Sequence, residues 1–438
     1  MLLRKILILS FLAISGTQLY SQSDSLWSLE KCIDYAFSSN IQIRKSVLAA
    51  ERSALNYDQA KAQRFPSVNA AVNQNFSWKN SQTAGAGYTY SNSTGYSLNS
   101  GVTLYNGSRL TNLIRQSELD MLSSELTLET ARETISLSIL DAYLQVLYAE
   151  EQVKNSRMQI ESTEGQLGLA EERLRMKVIS MADYSQVRSQ LASEKLTLAN
   201  SEKQYAIARI SLMQLIELPA DNNFEIEHPD MGSLLNELRK PDVRSIYETA
   251  LAVKPQIRNA AVIKQITGLD EKIARAGYIP SLTASAGITT GFASGGTGTY
   301  FNQINDGLYP AAGISLAIPI YQKKQVKTSI QLAKNSYSEA ELSETDTRNQ
   351  LRKSIEQACV DVTSAQAEYE ASNENYMATL ESTALAEEKF KQGIISSVDY
   401  LVSKTNLIVA ESQLLQSKYN LIYSYKVLDF YEGNPLTL

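Results

Sequence analysis

The stretch 386-AEEKFKQGIISSVDY-400 decides the reading of this chain, because the chain writes it twice. The earlier writing is 170-AEERLRMKVISMADY-184, 216 positions upstream (386 − 170), with seven of the fifteen residues identical. Each copy is rich in helix formers on its first half and breaks at a short polar stretch. Each therefore predicts a helix, a turn and a second helix. In the later copy Gly393 supplies the left-handed residue that closes a helix. In the earlier copy Lys177 stands there instead, so that turn is expected to differ in detail.

Working outward, the doubling covers most of the chain. 41-IQIRKSVLAA answers 255-PQIRNAAVIK, and 60-AKAQRFPSV answers 274-ARAGYIPSL, both at an offset of 214 (255 − 41). 102-VTLYNGS answers 318-IPIYQKK at 216 (318 − 102), so the two copies differ by two residues of loop length before that point. A unit of this length is far longer than a solenoid repeat and predicts a tandem duplication. The first unit is assigned to 23–240 and the second to 241–438. Each reads as a helix, a β-hairpin (67–105 and 281–321), a long helix and a returning helix.

Ser28 to about Arg64 has strongly helical composition, with Ser28 as the expected N-cap. Pro66 ends it, and Pro280 does the same in the second unit, because a residue before proline leaves the helical region. Alternation follows. Val68, Ala70, Val72, Phe76 and Trp78 share one side, with Gln74 the exception, and Asn69, Asn73, Asn75 and Ser77 share the other. Tyr96, Leu98, Val102 and Leu104 alternate with Ser97, Asn99, Gly101 and Thr103. Leu282, Ala284, Ala286 and Ile288 repeat the design, with Ile314, Leu316, Ile318 and Ile320 on the partner strand. The segments between strands, including 292-FASGGTGTYFNQINDG-307, read as polar, glycine-bearing loops. Aromatic residues gather at both ends. Trp78, Tyr88, Tyr90, Phe292, Tyr300 and Phe301 lie toward the loops, and Phe65, Tyr105, Tyr278 and Tyr321 at the helix junctions. Two aromatic girdles around a band of alternating residues are the pattern of a transmembrane β-barrel. A soluble hairpin is the competing reading of one copy alone.

Beyond each hairpin lies a long proline-free run. Ile135, Ile139, Ala142 and Val146, and their counterparts Leu351, Ile355, Ala358 and Val362, are spaced as a coiled-coil seam. Four strands per chain cannot sit in lipid with open edges. Closure demands more than one copy: two give eight strands, three give twelve.

The chain has 438 residues and 24 tyrosines against 9 phenylalanines, a composition suited to half-wet surfaces such as membrane interfaces. Its net charge is −6 without a basic stripe, which argues against nucleic acid. Residues 1–22 read as a secretory signal rather than a buried helix, with Arg4 and Lys5 before a short apolar run. Cys32 and Cys359 leave two readings, a disulfide or two separate small apolar residues, and the second is taken. No cysteine stands at the cleavage site, so lipidation is not expected. No apolar run after the signal is long enough for a spanning helix. No enzyme constellation is present. His228 is the only histidine and lies in a proline-containing connector, and Ser28-Leu29-Glu30-Lys31 has the S-x-x-K spacing without its companion motifs. No cofactor and no metal site are expected.

Over about residues 27–433 the sequence resembles the TolC-type outer-membrane efflux proteins. The resemblance is carried by the duplication, by Pro66 and Pro280, by Leu104-Tyr105-Asn106-Gly107 and Ile320-Tyr321-Gln322 where strands end, and by the turn Gly393 to Asp399. It implies an α+β membrane protein in the outer membrane of a Gram-negative bacterium. Three chains of four strands would make a 12-stranded barrel continuous with a coiled-coil helical barrel in the periplasm. Its implied partners are two further copies, outer-membrane lipid, a periplasmic adaptor (membrane fusion) protein and an inner-membrane transporter. Residues 219–243 would form the connector at the tunnel's waist. The resemblance places a pore constriction at Asp399 and Asp183, with Phe390 and Val402 at positions that are tyrosine and acidic in some relatives, and Ile395 where some carry arginine. The tip turns that would dock the adaptor are Lys177, Val178, Ile179 and Ser180, and Gly393, Ile394, Ile395 and Ser396. Both acids also suit a simple capping role at a helix start. The competing function is a non-conducting coiled-coil spacer or adhesin anchored in the outer membrane. The polar strand faces (Asn69, Asn73, Ser97, Asn99, Thr283, Ser285) favour a wet lumen over a spacer.

Overall fold

The structure is a computed structural model that describes residues 26–81, 87–219, 224–232 and 240–438. The signal-like segment 1–22 lies outside the described residues. Helices α1 (Leu29–Ser39) and α2 (Ile41–Ala62) lead to strands β1 (Ser67–Ser81) and β2 (Gly87–Tyr105). Helices α3 (Arg109–Arg175) and α4 (Met181–Leu215) follow. The same order then recurs: α5 (Val243–Val253), α6 (Pro255–Arg275), β3 (Ser281–Ala293), a short α7 (Tyr300–Asp306), β4 (Tyr309–Ala317), α8 (Gln325–Lys391) and α9 (Ser397–Glu432). Both α3 and α8 have 67 residues. At ~1.5 Å per residue each extends about 100 Å, so the strands and the tip turns stand at opposite ends.

The first helical stretch is two helices, not one. Ser28 caps α1 as expected, accepting from the Lys31 amide at 3.2 Å. The chain breaks at buried Asn40. Its side-chain oxygen accepts from the Gln42 and Ile43 amides and starts α2, while its Nδ2 donates to the Leu215 carbonyl at 2.8 Å. The second unit breaks at the equivalent place for a different local reason. Pro255 opens α6 and forces Lys254 out of the helical region. That proline, aligned with Ile41, was a legible sign of the break.

The four strands form one antiparallel sheet in the order β1-β2-β3-β4. The alternation holds through the register: Leu98 pairs with Ile288 and Val102 with Ala284, keeping the apolar residues on one side. A bulge between Thr103 and Tyr105 shifts the lower end of β2. Two expectations need correction. The second hairpin was expected to reach residue 321, yet β4 ends at Ala317 and Ile318 and Ile320 lie beyond the ladder. Pro319 has no amide to donate there. The segment 292–307 was read as loop throughout, yet Tyr300–Asp306 is helical, started by the Thr299 side chain accepting from the Asn302 amide.

The predicted seams pack inward, with Ile135 and Ala142 only half-buried, but not as two-stranded coiled coil. Ile139 and Val146 belong to a core shared with α1 (Leu29, Cys32, Ile33, Ala36), the end of α4 (Leu212, Ile216) and the connector (Phe224, Ile226). Leu351, Ile355, Ala358 and Val362 pack with Ile246, Ala250, Ile257 and Leu428. The two cores pin several elements at mid-length, so these positions are faces of multi-helix packing. The connector joins by backbone pairing. The Trp27 amide donates to the Glu225 carbonyl (2.8 Å), the Glu227 amide to the Trp27 carbonyl (3.0 Å), and the Tyr143 hydroxyl to the Glu227 carbonyl (2.8 Å). His228 is exposed and 3.3 Å from the Glu150 carboxylate. Cys32 and Cys359 are both free and buried, in different cores. Burial pushes the Cys32 thiol up to about 12.

Candidate functional site at the helical tip

At the tip each long helix closes with the same two hydrogen bonds. Lys177 donates to the Leu174 carbonyl and Val178 to that of Arg173. Gly393 donates to the Phe390 carbonyl and Ile394 to that of Lys389. This is the Schellman closure, which needs a left-handed residue at its centre. Gly393 has φ 75° and Lys177 has φ 59°. The turns therefore do not differ as expected; Lys177 takes the glycine conformation and bears the strain of its Cβ. Replacing it by glycine relieves that strain but loosens the unfolded chain. Lys177→Gly is expected to raise stability by about 0.5–1 kcal/mol, read as a higher denaturation midpoint with unchanged helicity.

Each returning helix opens with a capping box. Ser180 and Ser396 are the N-caps, and Asp183 and Asp399 hold the third helical position, accepting from the serine hydroxyls at 2.6 and 2.8 Å. The acids complete the cap rather than form it. Beyond this shared role they part. Asp183 turns toward the other hairpin and accepts from the Ser397 hydroxyl at 2.6 Å. Asp399 is exposed, and Val402, one turn on along the same helix face, is 55% exposed. Phe390 lies in the cleft between hairpins, stacked on Tyr400 with centroids 5.1 Å apart and planes 7° apart. The Arg173 guanidinium lies 5.7 Å from the Phe390 centroid and donates to the Lys391 carbonyl at 2.9 Å. So the four residues assigned to the constriction divide in two. Asp399 and Val402 share the open face of α9, while Asp183 and Phe390 brace one hairpin against the other. Val178 and Ile394 are exposed at the two turns, and Ile179 and Ile395 are half-buried behind them.

The cleft between hairpin tips measures about 410 Å³ and is lined by Gln166, Arg173, Asp183, Glu387, Phe390 and Tyr400 among others. Gln166 donates to the Tyr400 hydroxyl at 2.5 Å. Burial, then the Glu387 charge, pushes the Tyr400 phenol up to about 12. The hydroxyl therefore stays protonated. The Ser180 and Ser397 hydroxyls hold the Asp183 carboxyl below its usual 3.8. A depressed carboxylate contributes stability above its unfolded pKa, lost as pH falls through the folded value. The Asp183–Ser397 brace is thus expected to be constant from neutral pH down to mildly acidic pH. The melting difference between the wild type and Asp183→Asn should persist across that range and shrink only below about pH 3.8. A difference that fades at mildly acidic pH would contradict it.

Sequence reasoning missed a buried polar knot above this cleft. Glu194 on α4 and Lys404 on α9 have side chains 5% and 7% exposed, with Oε1 and Nζ 3.4 Å apart. Thr163 on α3 donates to Glu194 Oε2 at 2.5 Å, Gln190 donates to Oε1 at 3.0 Å, and Lys404 also donates to the Thr163 hydroxyl. Burial pulls the Lys404 ammonium down, with Glu194 opposing. The legible signal was the seven-residue spacing of the buried Ser156, Thr163 and Ala170 on α3, a heptad written in small and polar residues. Among the described residues no cluster able to hold a metal ion is found.

The likeness to known proteins runs along nearly the whole chain. The profile of the family described as outer membrane efflux protein matches residues 32–217 and 246–434. Outer membrane protein TolC of Escherichia coli K12 is 24% identical over 433 residues, covering 94% of this chain and 83% of TolC. Pyoverdine export outer membrane protein OpmQ of Pseudomonas putida is 25% identical over 218 residues, covering 50% of this chain and 44% of OpmQ. Among solved structures, CusC superposes with a TM-score of 0.79 at 17% identity, covering 93% of this chain and 92% of CusC. The open state of the MtrE outer membrane channel of Neisseria gonorrhoeae gives 0.77 at 20% identity, covering 94% and 90%. On the extent of the profile match, this chain belongs to the TolC-type outer membrane efflux protein family.

Proposed function

We infer that this protein is the exit duct of a tripartite efflux or type I secretion assembly, passing substrate from a periplasmic adaptor and an inner-membrane transporter to the exterior. The observation that carries the reading is the open sheet. β1 and β4 each leave one edge unpaired within the chain, and a lipid environment does not tolerate such edges. Three copies close them into 12 strands, with the apolar faces toward lipid and Asn69, Asn73, Ser97 and Asn99 toward water. The three pairs of helical hairpins then tile a tube into the periplasm, built from a tandemly duplicated chain. Exposed Val178 and Ile394 offer the adaptor apolar points at each turn. The Asp399 carboxylates of three chains line the narrow end.

Single-channel recording of the purified oligomer in planar bilayers tests this. Small, cation-selective steps are expected from a duct closed at rest, and larger ones after Phe390→Ala loosens the cleft. Silence from the wild type, from Phe390→Ala and from Asp399→Asn alike would replace the duct by a non-conducting spacer.

A further inference from the structure

The short helix α7 does not lie over the mouth of the strands. It lies on their apolar side. Tyr96 pairs with Thr290 across β2 and β3, two positions along from Leu98 and Ile288, and so shares their face. Both side chains hold α7: the Tyr96 and Tyr300 hydroxyls are 2.6 Å apart, and the Thr290 hydroxyl donates to the Ile304 carbonyl at 2.5 Å. Phe292, on the same face, meets the Tyr300 ring at 5.0 Å. From the other side the Ala293 amide donates to Gln303 Oε1 at 3.0 Å.

The face on which α7 lies also carries polar side chains near the loop end of β1, β2 and β3. Gln74 is the polar residue on the apolar face of β1. It donates to Asn92 and accepts from the Thr94 hydroxyl at 2.5 Å, and Thr94 is only 8% exposed. Gln74, Asn92, Thr94 and Thr290 form a polar row near the loop end of a mostly apolar face, on which Ser100 also stands. Polar groups facing hydrocarbon must find partners within the protein: Gln74, Asn92 and Thr94 bond one another, while α7 supplies the Ile304 carbonyl to Thr290 and the Tyr300 hydroxyl to Tyr96. The outer surface of the helix then presents Phe301, 80% exposed, with Leu308 exposed just beyond it. Phe301 meets the ring of its neighbour Tyr300 edge-on, on the side of the sheet that carries Leu98, Ile288 and Leu282.

We propose that α7 is an outward-facing interfacial anchor, in which Phe301 and Leu308 contact the acyl chains of the surrounding leaflet near the headgroups while Tyr300, Gln303 and the Ile304 carbonyl hold the helix on Tyr96, Ala293 and Thr290. It rests on the barrel reading above and adds that this segment touches lipid rather than occluding the pore.

The chain has two tryptophans, which makes the test direct. Trp27 packs on Tyr35 and Phe224 in the mid-length core, far from any bilayer, and Trp78 lies on the apolar face near the loops. Wild type, Trp78→Phe, and Trp78→Phe with Phe301→Trp are reconstituted in vesicles of phosphatidylcholine brominated near either end of the acyl chain. The emission added at position 301 is expected to lose most of its intensity in lipid brominated near the carboxyl end, less near the methyl end, and little to aqueous iodide. Emission that is open to iodide and indifferent to bromine would overturn the proposal, whether α7 stands in water or over the pore. If the Trp78 emission is quenched by bromine and that at 301 is not, α7 alone is misplaced. If neither is quenched in protein that sediments with the vesicles, the barrel reading fails with it.

Discussion

Lys404→Met is expected to destabilise the helical body by about 3–5 kcal/mol, the cost of leaving a buried charge without its partner. The substitution keeps the length and apolar stem of the side chain and removes only the ammonium. Glu194 would keep its hydrogen bonds from Thr163 and Gln190, but no cation would remain near a carboxylate that is 5% exposed. The second half of the test is the pair Glu194→Met with Lys404→Met. A buried ion pair replaced by apolar groups of similar volume is often neutral or stabilising, so the double variant should recover most of the loss. The measurement is the denaturation midpoint of the helical signal for both variants. If the single variant is as stable as the wild type, the pair does not hold the two hairpins together. A recovered double variant with altered pairing of α3, α4 and α9 would show that the pair sets which residues face each other. The seam there is made of small residues such as Ser156 and Ala170, which by shape alone distinguish poorly between neighbouring registers.

Asp399→Asn is expected to weaken block of the channel by a multivalent cation on the order of 100-fold. The figure follows from about 1 kcal/mol for each of the three solvent-screened carboxylates that the proposed trimer would bring to one axis, at 1.4 kcal/mol per tenfold. The substitution is chosen to preserve structure. Asparagine retains an oxygen that can accept from the Ser396 hydroxyl, so the capping box survives without its charge. Asp183→Asn is the control. That carboxylate turns into the cleft toward Ser397, and its loss should loosen the brace while leaving block nearly unchanged. Block measured by titrating hexamminecobalt(III) against the open conductance distinguishes the two. Equal effects of both substitutions, or none from Asp399→Asn, would take that residue out of the pore.

Much of the architecture was legible because its signals are local. Alternation of period two marked the strands and which residues share a face, and the register keeps Leu98, Val102, Ile288 and Ala284 together as expected. Pro66 and Pro280 marked where the strands begin, since proline acts on the residue directly before it. The doubled turn marked both reversals. The errors also had local causes. Composition carried the first helix through Asn40, because a residue that caps one helix and ends another looks like any polar helix residue until its side chain finds the Leu215 carbonyl. Glycine content hid α7, whose stability comes from Tyr96, Thr290 and Ala293 rather than from its own seven residues. A lone helix of that length is not stable in water.

The residue pattern alone gives two helical hairpins and two strand pairs, with one polar and one largely apolar sheet face and two edges that a single copy leaves unpaired. Each follows from periodicity and chain connectivity, which span a few residues at a time. The fold decides the pairings across long separations. It chooses Ser397 over solvent for Asp183, Arg173 for Phe390, and Glu194 for Lys404, 210 positions away (404 − 194). It also puts Lys177 in a conformation made for glycine. None of these follows from spacing, because a side chain's partner depends on which helices pack together and in what register, and that choice is made by the summed packing of two cores at mid-length rather than by any stretch of sequence near the residue itself.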